Sequence, residues 1–260
     1  MSTSSNYTKY VFQDRSGGIV DPRVTPVPHS LFGIGHTAFL PPWSDPCLHL
    51  HQECEEFYLL RHGEMQLSVA GDFVDLRPNE LLIILPQVPH AVMGGHGKIE
   101  YFGFRAPYLD DKKIVGELPP KFPDLPVQTE RELKAEWGRR TPLTAPENQN
   151  CWLIGWGAAK YPSTHLILAY LNFRTFEAAN AGIGTRLRMH YHRESWEYYF
   201  ALQGRKVLQI ENELVSVDEG ETVEVPPRVR HNVYRREAPY EGFTIRVPSM
   251  SENDKVEDDV

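Results

Sequence analysis

The chain of 260 residues contains an internal repeat, and this repeat constrains the fold more than any other feature. The segment LHLHQECEEFYLLRHG at 48–63 corresponds to MHYHRESWEYYFALQG at 189–204, an ungapped offset of 141 residues. The same offset relates IEYFGFRAP at 99–107 to YEGFTIRVP at 240–248. Self-similarity at a fixed offset indicates a repeated structural unit. The chain is therefore a tandem duplication, and two similar domains are expected.

Three histidines and a glutamate recur in register in the two copies. The sets are His49, His51, Glu56 and His90 in the first copy, and His190, His192, Glu197 and His231 in the second. With 11 histidines in the chain, one His-x-His pair alone is a weak indication of a site. A third histidine and a glutamate in register twice are not explained by composition.

The spacing of these residues favours a metal site on a β-scaffold. Residues i and i+2 of a strand point to the same face, so the two histidines of each pair project together. The glutamate opens the next strand, and the third histidine is expected to close a later one. Three imidazoles and one carboxylate inside a barrel suit Fe, Mn, Ni, Cu or Zn and leave coordination positions open. We therefore expect one or two divalent first-row transition metals per chain.

Short apolar segments bounded by turn residues predict an all-β chain. Segments such as EEFYLL, MQLSVAG and ELLIILP, and later WEYYFALQG, KVLQIENE and TVEVPP, are rich in β-branched and aromatic residues. Many short strands separated by Gly, Pro, Asp or Asn indicate a barrel or a sandwich. Residues 129–140, TERELKAEWGRR, predict a short helix within a linker at about 108–150. The acidic residues 251–260 predict a flexible tail.

Both halves resemble cupin domains, whose first motif reads G(x)5HxH(x)3–4E(x)6G and whose second reads G(x)5PxG(x)2H. The second copy follows both motifs, except that Arg228 stands where the second motif has glycine. The first copy departs at turn positions, where Trp43, Asn79, Leu85 and Gln87 replace glycine or proline. The resemblance covers about 40–110 and 170–250. The matching positions of the second copy are Gly184, His190, His192, Glu197, Gly204, Gly220, Pro226 and His231.

The resemblance implies a bicupin, with two tandem double-stranded β-helix barrels of jelly-roll type joined by the linker with its short helix. The expected domains are an N-terminal cupin barrel over 1–125 and a C-terminal cupin barrel over 126–260. The first residues are expected to add a strand to the partner barrel or to another subunit. A homodimer is expected by base rate.

Alternatives remain open for the first site. Its four residues could form a vestigial site, in which they hydrogen-bond to one another or to water. Glu55 competes with Glu56 as the carboxylate ligand, although the alignment of the two copies favours Glu56. Cys47 and Cys54 flank the site and are interpreted as buried apolar residues rather than as ligands.

Strand alternation predicts which residues line the second cavity. Counting back by two from His190 gives Arg188 and Arg186, and counting forward from Glu197 gives Tyr199. We predict Glu197, Tyr199 and Arg188 as catalytic residues, because arginine beside a metal can hold a carboxylate or enolate substrate. The alternative is that both arginines extend into solvent.

The corresponding positions of the first copy carry less positive charge. They are Asp45, Cys47 and Met65, against Arg186, Arg188 and Lys206 in the second copy. At equivalent strand ends, one arginine of each copy is expected to form a structural salt bridge with a glutamate. These pairs are Arg105 with Glu100 and Arg246 with Glu241.

The composition limits the classes of partner and the location. Asp and Glu number 35 against 27 Lys and Arg, and a net charge of −8 argues against nucleic-acid binding. No apolar run is long enough to span a membrane, and the first residues lack a signal-peptide pattern. The three cysteines have no CxxC spacing, so a cytoplasmic location is expected.

The function expected from these features is that of a metal-dependent enzyme acting on a small, anionic organic molecule. The resemblance to cupins favours a dioxygenase-type oxidoreductase. One alternative is a cupin isomerase, lyase or aminohydrolase that uses the metal as a Lewis acid. Another alternative is a non-catalytic bicupin that binds a small ligand, although the chain has no basic helix-turn-helix segment.

Overall fold

The computed structural model describes residues 2–3, 6–12, 17–20, 31, 33–40, 44–118, 138–142, 149–155, 161–163, 165–183, 188–249 and 254–257. The chain divides into two compact units. The first barrel is residues 15–143, and the second barrel is residues 144–260 together with residues 1–14. The boundary predicted at 125/126 lies outside the described residues. No described helix is long and apolar enough to cross a membrane.

The described part of the chain is almost entirely β-strand. The strands are β1 (Ser2–Thr3), β2 (Thr8–Val11), β3 (Gly17–Val20), β4 (Gly33–Phe39), β5 (Leu48–His51), β6 (Glu55–Val69), β7 (Asp72–Leu76), β8 (Glu80–Ile84), β9 (His90–Ala106), β10 (Lys112–Gly116), β11 (Gly138–Pro142), β12 (Gln149–Gly155), β13 (Tyr161–Pro162), β14 (Ile167–Phe173), β15 (His190–His192), β16 (Trp196–Ile210), β17 (Glu213–Asp218), β18 (Glu221–Val225), β19 (His231–Val247) and β20 (Lys255–Glu257). One helix, α1, spans Phe176–Asn180, and the Thr175 side chain accepts a hydrogen bond from the Ala178 N–H at its start.

The first barrel contains the antiparallel strands β3 to β11 in one sheet. Their order is β10-β5-β9-β6-β8-β11, with β4 also paired to β9, β3 to β4, and β7 to β6. The core lies inside this sheet, because alternate residues of the long strands point inward. Each large apolar side chain removed from water there contributes about 1.5–3 kcal/mol. The core includes Tyr58, Leu60, Met65, Leu67, Val69, Leu76, Leu82, Ile84, Val92, Ile99 and Tyr101.

The second barrel repeats this arrangement with β14 to β20 and adds further strands. The order is β1-β2-β18-β16-β19-β14-β12-β13, with β15 paired to β19 and β20, and β17 to β16. Its core includes Leu171, Phe173, Tyr199, Ala201, Leu208, Ile210, Val215, Val217, Val223, Val225 and Tyr240. The prediction of an all-β chain with two jelly-roll-type barrels is confirmed.

The N-terminal residues add a strand to the second barrel, as the sequence predicted. β2 pairs with β18, and Lys9 forms an ion pair with Glu221 at 2.6 Å. The Tyr10 hydroxyl donates a hydrogen bond of 3.1 Å to Glu224, whose side chain is buried. Because β2 covers the outer edge of β18, it pairs backbone groups that would otherwise form an open sheet edge.

Two segments that the sequence assigned to the linker are strands of the first barrel. β10 pairs with β5, and β11 pairs with β8. The linker prediction is wrong for the residues of both strands. β10 was missed because its side chains are all exposed and give no apolar alternation. Residues 129–137 of the predicted helix lie outside the described residues, and residues 138–140 belong to β11.

The prediction of a flexible tail over 251–260 is wrong for residues 254–257. β20 pairs with β15, with Tyr191 opposite Val256, and Asp254 is buried. The acidic composition gave no sign of this strand, because its pairing uses backbone groups. The other residues of the tail lie outside the described residues.

Gly63 and Gly204 bend long strands instead of forming turns between short ones. Both have positive φ, 77° and 73°, and both lie at bulges within β6 and β16. A Cβ on Gly63 would lie 2.5 Å from the Lys98 carbonyl oxygen, and one on Gly204 would lie 2.2 Å from that of Pro239. Only glycine accommodates both the left-handed backbone and this close approach.

The residues that replace motif glycines keep the backbone conformation that glycine favours. Asn79, Gln87 and Arg228 have φ values of 63°, 66° and 66°. The Gln87 N–H donates to the His51 carbonyl at 2.6 Å, and the Arg228 N–H donates to that of His192 at 2.7 Å. The departures from the motif therefore preserve the turns that hold the histidine strands.

The buried Glu224 makes the stability of the second barrel depend on pH. Burial raises its pKa to about 7, so the folded state binds more protons than the unfolded state between about pH 4.5 and 7. This group's stabilisation is present at low pH and is lost as the pH rises to 7, by up to about 3 kcal/mol. Glu224→Gln should therefore gain stability relative to the wild type between pH 5 and pH 8.

Urea denaturation at both pH values measures this gain, with the exposed Glu213→Gln as the matched control. A Glu224→Gln variant whose stability changes with pH in parallel with the wild type would contradict the assignment.

Candidate metal centres

Each barrel brings three histidines and a glutamate together through the same elements. β5 and β15 direct two histidines inward, one residue apart, and all four of these imidazoles are buried. The glutamate lies at the start of β6 or β16. The third histidine is the first residue of β9 or β19. The prediction that it would close a strand is therefore wrong. This histidine lies opposite the first histidine, so His49 pairs with His90 and His190 with His231.

In the first barrel the histidines converge on one carboxylate oxygen. The Oε2 atom of Glu56 lies 2.6 Å from Nε2 of His90, 3.3 Å from Nε2 of His51 and 3.9 Å from Nε2 of His49. All four ligand atoms lie within 4.8 Å of one another.

The second barrel has the same geometry. The Oε2 atom of Glu197 lies 2.8 Å from Nε2 of His231, 3.1 Å from Nε2 of His192 and 3.9 Å from Nε2 of His190. Its four ligand atoms also lie within 4.8 Å of one another. The two clusters follow the same order of distances, with the third histidine nearest to the glutamate oxygen and the first histidine farthest from it.

The hydrogen-bond partner of Nδ1 determines the tautomer of each imidazole. Four Nδ1 atoms contact backbone carbonyl oxygens, which only accept hydrogen bonds, so these Nδ1 atoms carry the hydrogen. The Nε2 atoms that face the glutamate therefore present lone pairs. The contacts are His49 with Cys47 at 3.4 Å, His90 with Val88 at 2.8 Å, His190 with Arg188 at 2.9 Å, and His231 with Val229 at 2.8 Å.

The remaining histidine of each cluster contacts a carboxylate through Nδ1. His51 Nδ1 lies 2.8 Å from Asp111, and His192 Nδ1 lies 3.2 Å from Asp254. Arg246 Nη1 also lies 3.4 Å from His192 Nδ1. We assign the hydrogen to the shorter contact, the one with Asp254, because this contact matches that of His51 in the first barrel.

A cation is needed to bring these ligand atoms together. Three imidazole lone pairs and a carboxylate oxygen repel one another when they face the same point, and burial strengthens this repulsion. A divalent ion removes the repulsion, and a set of three nitrogens and one oxygen fits first-row transition metals. Each barrel therefore has a metal-binding site, and the prediction of one or two transition metals per chain is confirmed.

The ionisation of the site suits metal binding. Burial alone would raise the pKa of Glu56 and Glu197, but interaction with the three histidines of its cluster holds each pKa well below its usual range. Burial also lowers the pKa of His190, which favours the neutral imidazole. Neutral histidine and ionised glutamate are the forms that bind metal.

Asp111 orients His51 from outside the first cluster. Its carboxylate accepts hydrogen bonds from the backbone N–H groups of Glu53 and Cys54, at 2.8 and 3.1 Å, and from the Cys54 thiol at 3.1 Å. These bonds and the His51 contact outweigh partial burial and lower the pKa of Asp111. An ionised carboxylate behind a histidine ligand fixes its ring and raises its basicity.

Asp254 has the same role in the second cluster. It accepts hydrogen bonds from the Glu194 N–H at 2.9 Å and from the Ser195 hydroxyl at 2.6 Å. Despite partial burial, these bonds and His192 lower its pKa. Each barrel thus supplies this carboxylate from the residue just before a strand, β10 or β20, that pairs with its histidine strand.

Sequence reasoning missed both aspartates, although a signal was present. The segments DKKIV from Asp111 and DKVE from Asp254 both place Asp-Lys before β-branched residues. The offset between them is 143 residues (254 − 111 = 143), not 141, so an ungapped comparison does not align them.

The flanking residues of the first site have the expected secondary roles. Glu56 belongs to the cluster, which agrees with the alignment of the copies, and Glu55 does not. Cys54 is buried, and burial and Asp111 raise the pKa of its thiol to about 12. A protonated thiol that donates to Asp111 is not a metal ligand. Cys47 is a half-buried free thiol.

A cavity of about 270 Å³ opens onto the first cluster. His49 and Glu56 form part of its wall, together with Tyr58 and Tyr101. Two cationic residues, Arg105 and Lys112, and one further acid, Asp45, complete its charged lining. The Asp45 carboxylate accepts a hydrogen bond of 2.7 Å from the Val92 N–H. Arg105 and Lys112 thus give the first cavity two cationic groups that the alignment of the two copies did not predict.

The predicted lining of the second site is only partly found. Tyr199 is buried and its ring centroid lies 6.1 Å from that of His231. Arg188 is exposed and lies before β15, so its contact with a substrate stays a prediction. Arg186 lies outside the described residues. Lys206 is buried deeper in the barrel, over the ring of Tyr199.

The predicted salt bridges of Arg105 and Arg246 are not among the ion pairs of the described residues. Glu100 pairs with His36 at 3.0 Å, and Glu241 accepts a hydrogen bond of 2.7 Å from the Tyr170 hydroxyl. Side chains on an adjacent strand satisfy both glutamates. Arg105 instead lines the first cavity, and Arg246 contacts His192.

Comparison with known proteins agrees with this fold. Residues 181–239 match the family described as "Cupin domain". An uncharacterized protein of Methanocaldococcus jannaschii is 33% identical over 51 residues, which is 20% of this chain. That match covers 41% of the relative's own length.

Solved structures of two enzyme types share the fold of almost the whole chain. A variant of Bacillus subtilis oxalate decarboxylase has a TM-score of 0.66 at 13% identity, covering 99% of this chain and 80% of that one. Lactobacillus farciminis oxalate decarboxylase in a formate complex has a TM-score of 0.63 at 13% identity, covering 99% and 90%. Salicylate 1,2-dioxygenase from Pseudaminobacter salicylatoxidans has a TM-score of 0.60 at 13% identity, covering 90% and 76%. At these identities the likeness concerns the fold.

The two clusters should lose metal independently. His192→Ala removes one ligand of the second site, so about one ion per chain should remain instead of about two. His51→Ala should have the same effect on the first site. Elemental analysis after reconstitution measures both, with the exposed His62→Ala as the control. If either variant lost metal from both sites, the two centres would not be independent.

Asp254→Asn should weaken metal binding at the second site by about 10- to 100-fold without removing a ligand. The amide keeps the shape of the carboxylate but loses the charge that makes His192 more basic. Competition with a fluorescent chelator measures the affinity, and Asp111→Asn should weaken only the first site. The exposed Glu257→Gln on the adjacent strand is the matched control. Unchanged affinity in Asp254→Asn would exclude the orienting role.

Proposed function

We propose that this chain, whose two barrels have a cupin-type fold, is a metal-dependent enzyme acting on a small carboxylate or enolate. The observation that carries this proposal is the cavity of about 270 Å³ that reaches His49 and Glu56. A metal bound there faces a space large enough for a small organic acid. The predicted dioxygenase-type reaction is the first candidate.

The charges of the first cavity support an anionic substrate. The Arg105 guanidinium lies 4.5 Å from the ring centroid of Tyr108, and among the described residues no carboxylate pairs with it. Lys112 lies on the same wall, at the first residue of β10. Arginine and lysine in a partly enclosed site bind a carboxylate through charge-assisted hydrogen bonds. The names of the structural relatives also point to carboxylates, oxalate and salicylate.

The chain's own residues have distinct parts in this reaction. A bound divalent metal supplies a Lewis acid and, if it is redox-active, a means of reacting with oxygen. Arg105 and Lys112 hold the substrate carboxylate. Burial raises the pKa of the Tyr58 and Tyr101 phenols, the latter to about 12, so both donate hydrogen bonds instead of accepting protons.

In the second barrel we propose the roles predicted from the sequence. Burial and the Glu197 charge raise the pKa of Tyr199, so its phenol stays protonated and can donate a hydrogen bond to bound substrate. Glu197 stays ionised as a metal ligand beside the substrate, while the exposed Arg188 attracts anions. A homodimer and a cytoplasmic location remain predictions from the sequence.

A lyase is the second candidate function. It is favoured by the fold likeness to oxalate decarboxylases, which extends over 99% of this chain. A lyase would use the metal only to polarise the carboxylate, and it would consume no oxygen overall.

Turnover assays should separate these reactions. The protein loaded with Fe(II) or Mn(II) is given oxalate, malonate, salicylate, acetylacetone or catechol, and oxygen uptake and CO₂ release are recorded together. Oxygen uptake with ring or carbon–carbon cleavage supports the dioxygenase, and CO₂ release without net oxygen uptake supports the lyase. The absence of turnover with every compound and both metals would contradict the proposed function.

Two adjacent lysines of β10 test the proposed position of the substrate carboxylate in the first cavity. Arg105→Gln and Lys112→Met should each raise KM for a carboxylate substrate about tenfold or more, because each removes a charge-assisted contact. Lys113→Met changes the next residue of β10, which does not line the cavity, and should leave KM unchanged. Equal KM values in Lys112→Met and Lys113→Met would contradict the placement of the substrate.

A further inference from the structure

The second barrel contains a lysine buried among aromatic rings. Lys206 lies on β16 and is 1% exposed. Its Nζ atom lies 4.7 Å from the ring centroid of Tyr199 and 5.1 Å from that of Tyr240. Among the described residues, this nitrogen has no hydrogen-bond partner. A buried amine without a hydrogen bond is costly, although the ring faces offset part of the cost.

A second buried cation lies directly across the sheet from Lys206. Arg236 on β19 pairs in register with Lys206, and its guanidinium lies 5.0 Å from the ring centroid of Phe173. One guanidinium nitrogen donates 2.6 Å to the Ala179 carbonyl, while Nε has no partner. No described carboxylate forms an ion pair with either cation. Of the acids, only Glu197 influences the pKa of Lys206, and that carboxylate is already held by three histidines.

The first barrel shows that the fold does not require these cations. Met65 and Gly95 occupy the corresponding positions (65 + 141 = 206, 95 + 141 = 236) and pair in the same register. Met65 packs in an apolar core, and the first barrel forms the same sheet without any buried charge at this place. The Lys–Arg pair is therefore specific to the second barrel, and its cost is not explained by folding.

The position of the pair connects it to the second metal centre. Tyr199 contacts Lys206 with one part of its ring, and its ring centroid lies 6.1 Å from that of His231. Tyr199 thus lies next to both the Lys206 amine and the ligand cluster.

We propose that Lys206 and Arg236 form an anion subsite in the second barrel that binds one carboxylate group of a small organic acid. An anion there supplies the missing hydrogen-bond acceptor for Lys206 Nζ and for Arg236 Nε. It also balances the buried positive charge of Arg236, and that of the Lys206 amine once this amine is protonated, in a low-dielectric interior. Only the further claim, that the other end of the acid faces the metal, rests on the proposed function.

Protonation gives this subsite a measurable signature. Burial and the charge of Arg236 hold the pKa of Lys206 well below its usual value. The groups that face the amine are Arg236, Tyr199, Tyr240 and, more remotely, Glu197. A bound carboxylate favours the charged amine, so binding should take up a proton from solution.

The test is calorimetric titration of malonate into chelator-treated protein at pH 8, in two buffers with different ionisation enthalpies. The wild type should take up protons on binding at this subsite. Lys206→Met introduces the residue of the first barrel and should abolish the proton uptake and weaken this binding about tenfold or more. Lys112→Met, which alters the first cavity, should keep the uptake. Equal proton uptake and affinity in Lys206→Met and the wild type would overturn the proposal.

A second measurement needs no variant and guards against misfolding of Lys206→Met. In protein labelled with ¹⁵N-lysine, malonate should raise the pH at which the Lys206 amine titrates. An unshifted titration at saturating malonate would overturn the proposal. Metal content after reconstitution is measured separately: if the protein bound no metal but malonate still shifted the Lys206 titration, the subsite would stand while the proposed function failed.

Discussion

In each barrel three imidazole lone pairs and one carboxylate oxygen face the same point, and this arrangement determines the surrounding structure. The carbonyl and aspartate contacts at Nδ1 leave each Nε2 as an acceptor, and Oε2 of Glu56 lies as close as 2.6 Å to one of them. Acceptors at such distances repel in a buried site unless a cation lies between them. The sheet register, the turns beside the histidine strands and the outer aspartates all keep these atoms together. The duplication therefore preserves a metal-binding geometry in addition to a fold.

Segments outside each barrel's main strands are part of this arrangement. Asp111 and Asp254 come from stretches whose sequences indicate a linker and a tail, yet each carboxylate contacts a histidine ligand. The strands that follow them, β10 and β20, pair with the histidine strands and hold the aspartates in place. Metal affinity in each barrel is thus coupled to the docking of a short edge strand.

The sequence predicts the fold class and the eight residues that form the two clusters, because the repeat compares the chain with itself. It does not predict β20 or Asp254, since edge strands pair through the backbone and leave little pattern in their side chains. Gly63 illustrates a different limit: a turn and a bulge both favour positive φ, and only the register of β6 with β9 distinguishes them. The buried environment of Lys206 depends on packing between β16 and β19, which alternation alone does not give. The sequence identifies clustered residues where they recur in both copies, and it misses those whose positions depend on tertiary contacts.

The central claim is that each barrel binds one divalent transition metal through its three histidines and glutamate. Elemental analysis of the wild-type chain, purified without chelators and then reconstituted, tests this claim most directly. The account predicts about two ions per chain after reconstitution. Fewer than about 0.2 ions per chain, with no gain on reconstitution, would contradict it.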